Sequence, residues 1–178
     1  MPEQDTSAVR DARLTAEQLC QMAIAAGAIA AKVISPSTAE TAEWVWWRCR
    51  YGCGSWGSSL VCPPNSPTSL QTRALLDSFS RAILFESSPN GAKHIAVAVE
   101  HELYRAGCYK AFGLGAGPCH LCNACALEAG CRHPDQARPA MEACGIDVYS
   151  TVRKHGFTLD VIRGPRDEQN SFGLVLVD

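Results

Sequence analysis

The stretch Cys119-His120-Leu121-Cys122-Asn123-Ala124-Cys125, completed by Cys131, decides how this chain is read. Three thiols recur at every third residue, and five residues separate the third from the fourth. The residues between the first three are too few to form an ordinary hydrophobic element. On a tight loop or helical turn this spacing aims three sulfurs at one small volume. A [4Fe–4S] cuboid asks for that arrangement, with three irons held by one short loop and the fourth by a more distant cysteine. Zinc usually draws on two separated C-x2-C hooks, and it stands as the alternative occupant.

The spacing is similar to the bacterial ferredoxin run C-x2-C-x2-C-x3-C-P, except that the last gap is longer and Pro134 comes three residues after Cys131. A second group precedes it: Cys49-x3-Cys53-x8-Cys62-Pro63-Pro64, with Gly52, Gly54 and Gly57 between its members. Glycine lets backbone N–H groups approach closely, and N–H···S bonds tune a cluster's potential. Pro63-Pro64 forbids helix at Cys62 and fixes the exit of the chain.

One cluster takes four thiolates. Cys119, Cys122, Cys125 and Cys131 suffice for one, whereas Cys49, Cys53 and Cys62 are one short. Cys144, at a glycine-terminated turn, is the expected eighth ligand, with Cys108 as the weaker candidate. In ferredoxins the distal cysteine of one run ligates the other cluster, so Cys62 and Cys131 are open to exchange. Without an eighth ligand one iron stays open as a Lewis acid, with a polar residue such as Glu142 or Asp147 near it. Capping and surface charge are the ordinary roles for those two carboxylates. The missing ligand separates an enzyme from an electron carrier.

A length of 178 residues suggests a polar tail over residues 1–13 and a single domain over 14–178. A net charge of -2 gives no electrostatic case for nucleic acid or a membrane surface. Ten cysteines are many for this length, and they fit either an oxidised secreted scaffold or metal sites in a reduced compartment. Met1–Arg13 has no basic-then-apolar signal pattern, and no later run is apolar enough to span a bilayer. The expectation is a cytoplasmic protein whose cysteines are reduced thiolates on metal. Arg48, Arg50, Arg132 and Arg138 flank the cysteines, either to offset anionic clusters or as surface charge. His120 and His133 adjoin ligands, but the cysteines already fill the count.

Along the chain, Thr15 and Gln18 form a capping box for a helix ended by Gly27, in which Cys20 reads as a small buried hydrophobe. Ala30 to Ile34 reads as a strand. Trp44-Val45-Trp46-Trp47 reads as extended, packing in the core or shielding a cluster. A helix is expected from Thr68 to Phe79, a buried strand from Arg81 to Glu86, and a long helix from Lys93 to Phe112, with His94 and His101 on its solvated face. Gly113-Leu-Gly115-Ala-Gly117 lacks the strand-before, helix-after context of a nucleotide loop and reads as a flexible lead into Cys119. A short helical turn at Arg138 to Ala143, a helix capped by Asp147 and stopped by Gly156, a strand from Phe157 to Ile162, a turn at Gly164 to Asn170 and a last strand from Phe172 to Val177 complete the chain. Interleaved elements of this kind predict an α+β fold: a small mixed sheet with helices packed on it and two cysteine-rich metal-binding loops at one end.

The ordered set of motifs resembles the DUF2284 family of predicted metal-binding proteins. It comprises C-x3-C-x8-C-P-P at Cys49 to Pro64, A-G-x-x-x-A-F at Ala106 to Phe112, G-P-C-x-L-C-x-x-C at Gly117 to Cys125, C-R-x-P at Cys131 to Pro134, R-P-x-M-E-A at Arg138 to Ala143 and G-I-D-V at Gly145 to Val148. The resemblance runs from about Leu14 to Ile162. It implies metal binding and carries over the seven motif cysteines as ligands; it supplies no substrate.

Together these readings point to an iron–sulfur protein with one or two [4Fe–4S] clusters, serving a redox partner protein in electron transfer or as a redox accessory. An enzyme with an open cluster iron acting on a small-molecule substrate is the first alternative, and a structural zinc-binding module the second. Trp44, Trp46, Trp47 and the apolar last strand offer surface for a homo-oligomer.

Overall fold

Two neighbouring apolar strands form the centre, and alternation along them sends side chains to two opposite layers. The structure, a computed structural model, describes residues 13–164 and 169–178. Its sheet runs β1 (Ala30–Ile34), β2 (Ala82–Ser87), β4 (Ser171–Leu176), β3 (Phe112–Leu114) in spatial order. Every pairing is antiparallel, with Ile83 opposite Val175 and Leu84 opposite Leu174. The α+β class is as expected, and the sheet is antiparallel where a mixed one was expected.

On one face Ile83, Phe85 and Val175 pack against α1 (Ala16–Ala25) and α4 (Ala92–Arg105) through Leu19, Ile95, Val99 and Leu103. On the other, Leu84, Leu174 and Leu176 meet Leu76 of α3 (Ser69–Asp77), then Met141, Ile146 and Val152. Helix starts follow local chemistry. Thr15 Oγ1 accepts from Gln18 N at 3.2 Å while Gln18 Oε1 accepts from Thr15 N at 2.8 Å, and Thr68 and Gln71 repeat this capping box on α3. Asp147 caps α5 (Val148–Lys154), accepting from Ser150 N at 3.1 Å.

Several expectations are corrected. Trp44 to Trp47 is not extended but lies in α2 (Glu43–Gly52). Val45 is buried while Trp44, Trp47 and Tyr51 are exposed, an i, i+3, i+7 stripe that belongs to one helical face. The long helix stops at Arg105 rather than Phe112, followed by Gly107 at φ 99°, and Phe112–Leu114 becomes an edge strand beside β4. Gly113 and Gly115 are therefore not a flexible lead. A Cβ at Gly113 would lie 2.9 Å from the Ala96 carbonyl oxygen, and one at Gly115 only 2.4 Å from Lys93 Cγ. These glycines let β3 press directly on α4.

Phe157 to Ile162 joins no ladder; Arg153 holds it by donating to the Leu159 carbonyl at 2.6 Å. The turn at Arg138 to Ala143 narrows to a single 3-10 turn, Glu142–Cys144. The last strand is internal, between β2 and β3, and buried, so it offers no free edge. The expected N-terminal tail, apart from Arg13, and residues 165–168 of the expected turn lie outside the described residues. Among the described residues no helix is long and apolar enough to cross a membrane.

Gly173 stands opposite Phe85, and a Cβ there would lie 2.3 Å from the Phe85 ring and 3.0 Å from the Leu114 carbonyl oxygen. Gly173→Ala should therefore lower stability by about 1–3 kcal/mol through overpacking, read as a lower urea midpoint of the purified protein. An unchanged midpoint would show that this layer is loosely packed.

Candidate metal centre

The first cysteine group is set by the end of a helix. Cys49 lies in the last turn of α2 and Cys53 is its C-cap, donating from its backbone N to the Cys49 carbonyl at 3.3 Å. The chain then doubles back, with Gly57 N donating to the Pro63 carbonyl at 2.7 Å, which brings the buried Cys62 round to face the helix end. Cys49, Cys53 and Cys62 line a cavity of about 150 Å³, together with Trp56, Ala140 and Glu142. Burial pushes the Cys49 thiol up, and the nearby Cys53, Glu142 and Cys62 push it further.

The second group sits on a loop without helix or strand that leaves β3. Cys119, Cys122, Cys125 and Cys131 line one cavity of about 260 Å³. Ser55, Ser58 and Ser59 from the first loop close its wall, and Ser55 and Pro118 border both cavities. The two groups are thus neighbours. The N–H···S contacts come from Ser55 N to Cys53 Sγ at 3.5 Å and from His133 N to Cys131 Sγ at 3.4 Å, not from the glycines. All ten cysteines are free thiols. Among the described residues no three His, Cys, Asp or Glu side chains gather tightly enough to hold a single ion; the thiols line cavity walls rather than meet at a point.

Residues 138–146 join the two groups to the scaffold. Arg138 Nε donates to Glu100 Oε2 at 2.7 Å, and that oxygen also accepts from Gly113 N at 2.7 Å. Both partners of the ion pair are about nine-tenths buried. Gly115 N donates to the Pro139 carbonyl and Met141 N to the Gly115 carbonyl, both at 2.9 Å. Ser66 Oγ donates to the Ala143 carbonyl at 2.6 Å. Gly145, in the left-handed region at φ 74°, lies so close to Ser69 that a Cβ would meet its side chain at 2.8 Å.

Glu142 is held in this clamp with Oε2 buried and without a hydrogen-bonding partner among the described residues. Burial pushes its carboxyl up, partly offset by its own backbone N–H and by Lys93. Lys93 Nζ is likewise buried and unpartnered among the described residues. Burial pulls the Lys93 ammonium down, opposed by Cys119, Cys62 and Glu142. The two unpartnered groups feel each other's charge but form no ion pair.

Other candidates lie elsewhere. Cys144, expected as the eighth ligand, is buried in the apolar layer with Leu76 and Met141, and desolvation pushes its thiol up to about 12. It lines neither cavity. Cys108 is not mid-helix; it follows α4 and packs beside α1 and α4. Cys20 is a half-buried residue of α1. Asp147 is committed to capping α5. Arg138 is committed to Glu100, Arg50 stacks on Tyr51 and Trp56, and Arg132 donates to the Ala124 carbonyl at 3.3 Å. His120 and His133 both line the second cavity, His120 exposed and His133 half-buried.

Lys93 was not legible as a site residue, because it opens a helix in an ordinary polar position. Its one signal was Gly115, which has no side chain because Lys93 occupies that space.

A family model described as a predicted metal-binding protein (DUF2284) matches residues 32–177. No curated protein and no solved structure matches the chain.

Arg138→Ala would leave the Glu100 carboxylate buried and uncompensated. It should cost about 3–5 kcal/mol, seen as a large fall in the thermal midpoint of the purified protein. A loss no greater than that of an exposed arginine, such as Arg48→Ala, would mean Glu100 finds water or another partner.

Proposed function

The chain belongs to the DUF2284 family of predicted metal-binding proteins, and we propose that its two cysteine groups hold two [4Fe–4S] clusters through which it passes electrons to a redox partner protein. The observation that carries this reading is that three and four thiols line two adjoining cavities sharing Ser55 and Pro118. Thiolates spread over cavity walls suit a cofactor of several atoms, each iron taking one ligand. A zinc site draws its sulfurs to within about 3.8 Å of one another, as tetrahedral bonds of about 2.3 Å require. A bound cluster supplies one-electron redox chemistry.

The residues present fit such a group. Lys93 carries a buried ammonium with no partner among the described residues, a costly arrangement unless an anion stands beside it. Thiolate-ligated clusters would supply that countercharge, since Cys119 and Cys62 both act electrostatically on Lys93. The backbone donors at Ser55 and His133 hold Cys53 and Cys131. Trp56 and Pro63 give the first cavity an apolar wall.

Anaerobically purified protein should be brown and contain about eight irons and eight acid-labile sulfides per chain. Cys122→Ser and Cys62→Ser should each lower both counts towards four, and the double variant should remove nearly all. Colourless protein carrying zinc would replace this reading with a structural module.

A further inference from the structure

The first cavity has three thiols where the second has four, and a carboxylate shares its wall with them. Glu142 is on the wall of that cavity with Cys49, Cys53 and Cys62. Its Oε2 is buried without a hydrogen-bonding partner among the described residues, an arrangement that costs free energy unless a donor or a cation meets the oxygen. The available cation does not, since Lys93 makes no ion pair with it. The backbone that carries it is fixed, because residues 139–145 are held by Gly115, Ser66 and Ser69 on three sides. The nearest cysteine in sequence, Cys144, is turned into the apolar layer.

Carboxylate oxygen is a competent ligand for iron, although harder than thiolate. We propose, resting on the iron–sulfur reading above, that Glu142 supplies the fourth ligand of the cluster held by Cys49, Cys53 and Cys62, and that the iron it holds is the exchangeable one. The placement also gives that iron an approach. Glu142 borders two further hollows, one of about 230 Å³ walled by Trp44 and Arg48 and one of about 500 Å³ walled by Tyr149 and Asn170. A small oxygen- or sulfur-donor molecule entering either would meet the iron at the carboxylate corner and displace an oxygen rather than a thiolate. The other cluster, with four thiolates, offers no such corner and is left to carry electrons.

The test is controlled oxidation of the purified protein with ferricyanide, followed by counts of iron and sulfide and by EPR. One ferrous ion leaves the carboxylate corner, and ferricyanide takes up one electron from the remaining cluster. Wild-type protein should lose about one iron in eight with sulfide unchanged, and Cys144→Ala should behave as wild type. Glu142→Cys should keep all its iron under the same treatment. Added cyanide should shift the EPR spectrum of reduced wild-type protein but not of Glu142→Cys. If wild-type protein loses no iron and ignores cyanide, or if Glu142→Cys loses iron as readily, Glu142 is not the ligand. A preparation without acid-labile sulfide would instead overturn the iron–sulfur reading itself, which the iron and sulfide counts reveal before any oxidant is added.

Discussion

A single buried carboxylate ties the fold to the site. Glu100, on the inner face of α4, accepts from the backbone of β3 at Gly113 and from the guanidinium of Arg138. Helix, edge strand and the segment leading to Glu142 therefore meet at one pair of oxygens. The pair is largely buried, so its desolvation is costly and only full satisfaction makes it tolerable. Its value lies in specificity. An apolar replacement would hold the three elements together without fixing how far the segment 138–146 slides along β3.

The close approach of β3 to α4 is the second constraint, and it follows from glycine. Gly113 lies against the Ala96 carbonyl and Gly115 against Lys93. Any side chain at either position would push the strand outward and take Pro118 and Cys119 with it. Lys93 is packed along Gly115, and its ammonium is buried within electrostatic reach of Cys119 and Cys62 rather than in solvent. Packing at the sheet edge thereby sets the electrostatics of the centre several residues away.

Much of this was legible in the chain, for physical reasons. The capping boxes at Thr15 and Thr68, the cap at Asp147 and the strands at Ala30 and Ala82 depend on neighbours in sequence, so local chemistry suffices to find them. The cysteine groups were legible as groups because their members are close in sequence, and the fold sets them on the walls of two adjoining cavities. What failed depended on tertiary partners. Trp44 to Trp47 is too short to distinguish alternation from a helical stripe, and only the buried Val45 reveals which side faces the protein. Phe112 to Leu114 is a strand only because β4 lies beside it; alone, the run continues a helical pattern. The burial of Cys144 in the apolar layer, beside the 3-10 turn and the left-handed Gly145, is likewise visible only in the fold.

The same turn explains why two residues so close in sequence have opposite surroundings. In a 3-10 turn side chains repeat every three residues, so positions two apart point in different directions. Cys144 then enters the layer beneath the sheet, and Glu142 is left over the cavity formed by the end of α2 and the loop to Cys62. A carboxylate is a costly group to hold there. The clamp of Gly115, Ser66 and Ser69 keeps it in place regardless. Strong positioning of a group whose burial is unfavourable is what the proposed role of Glu142 as a ligand accounts for.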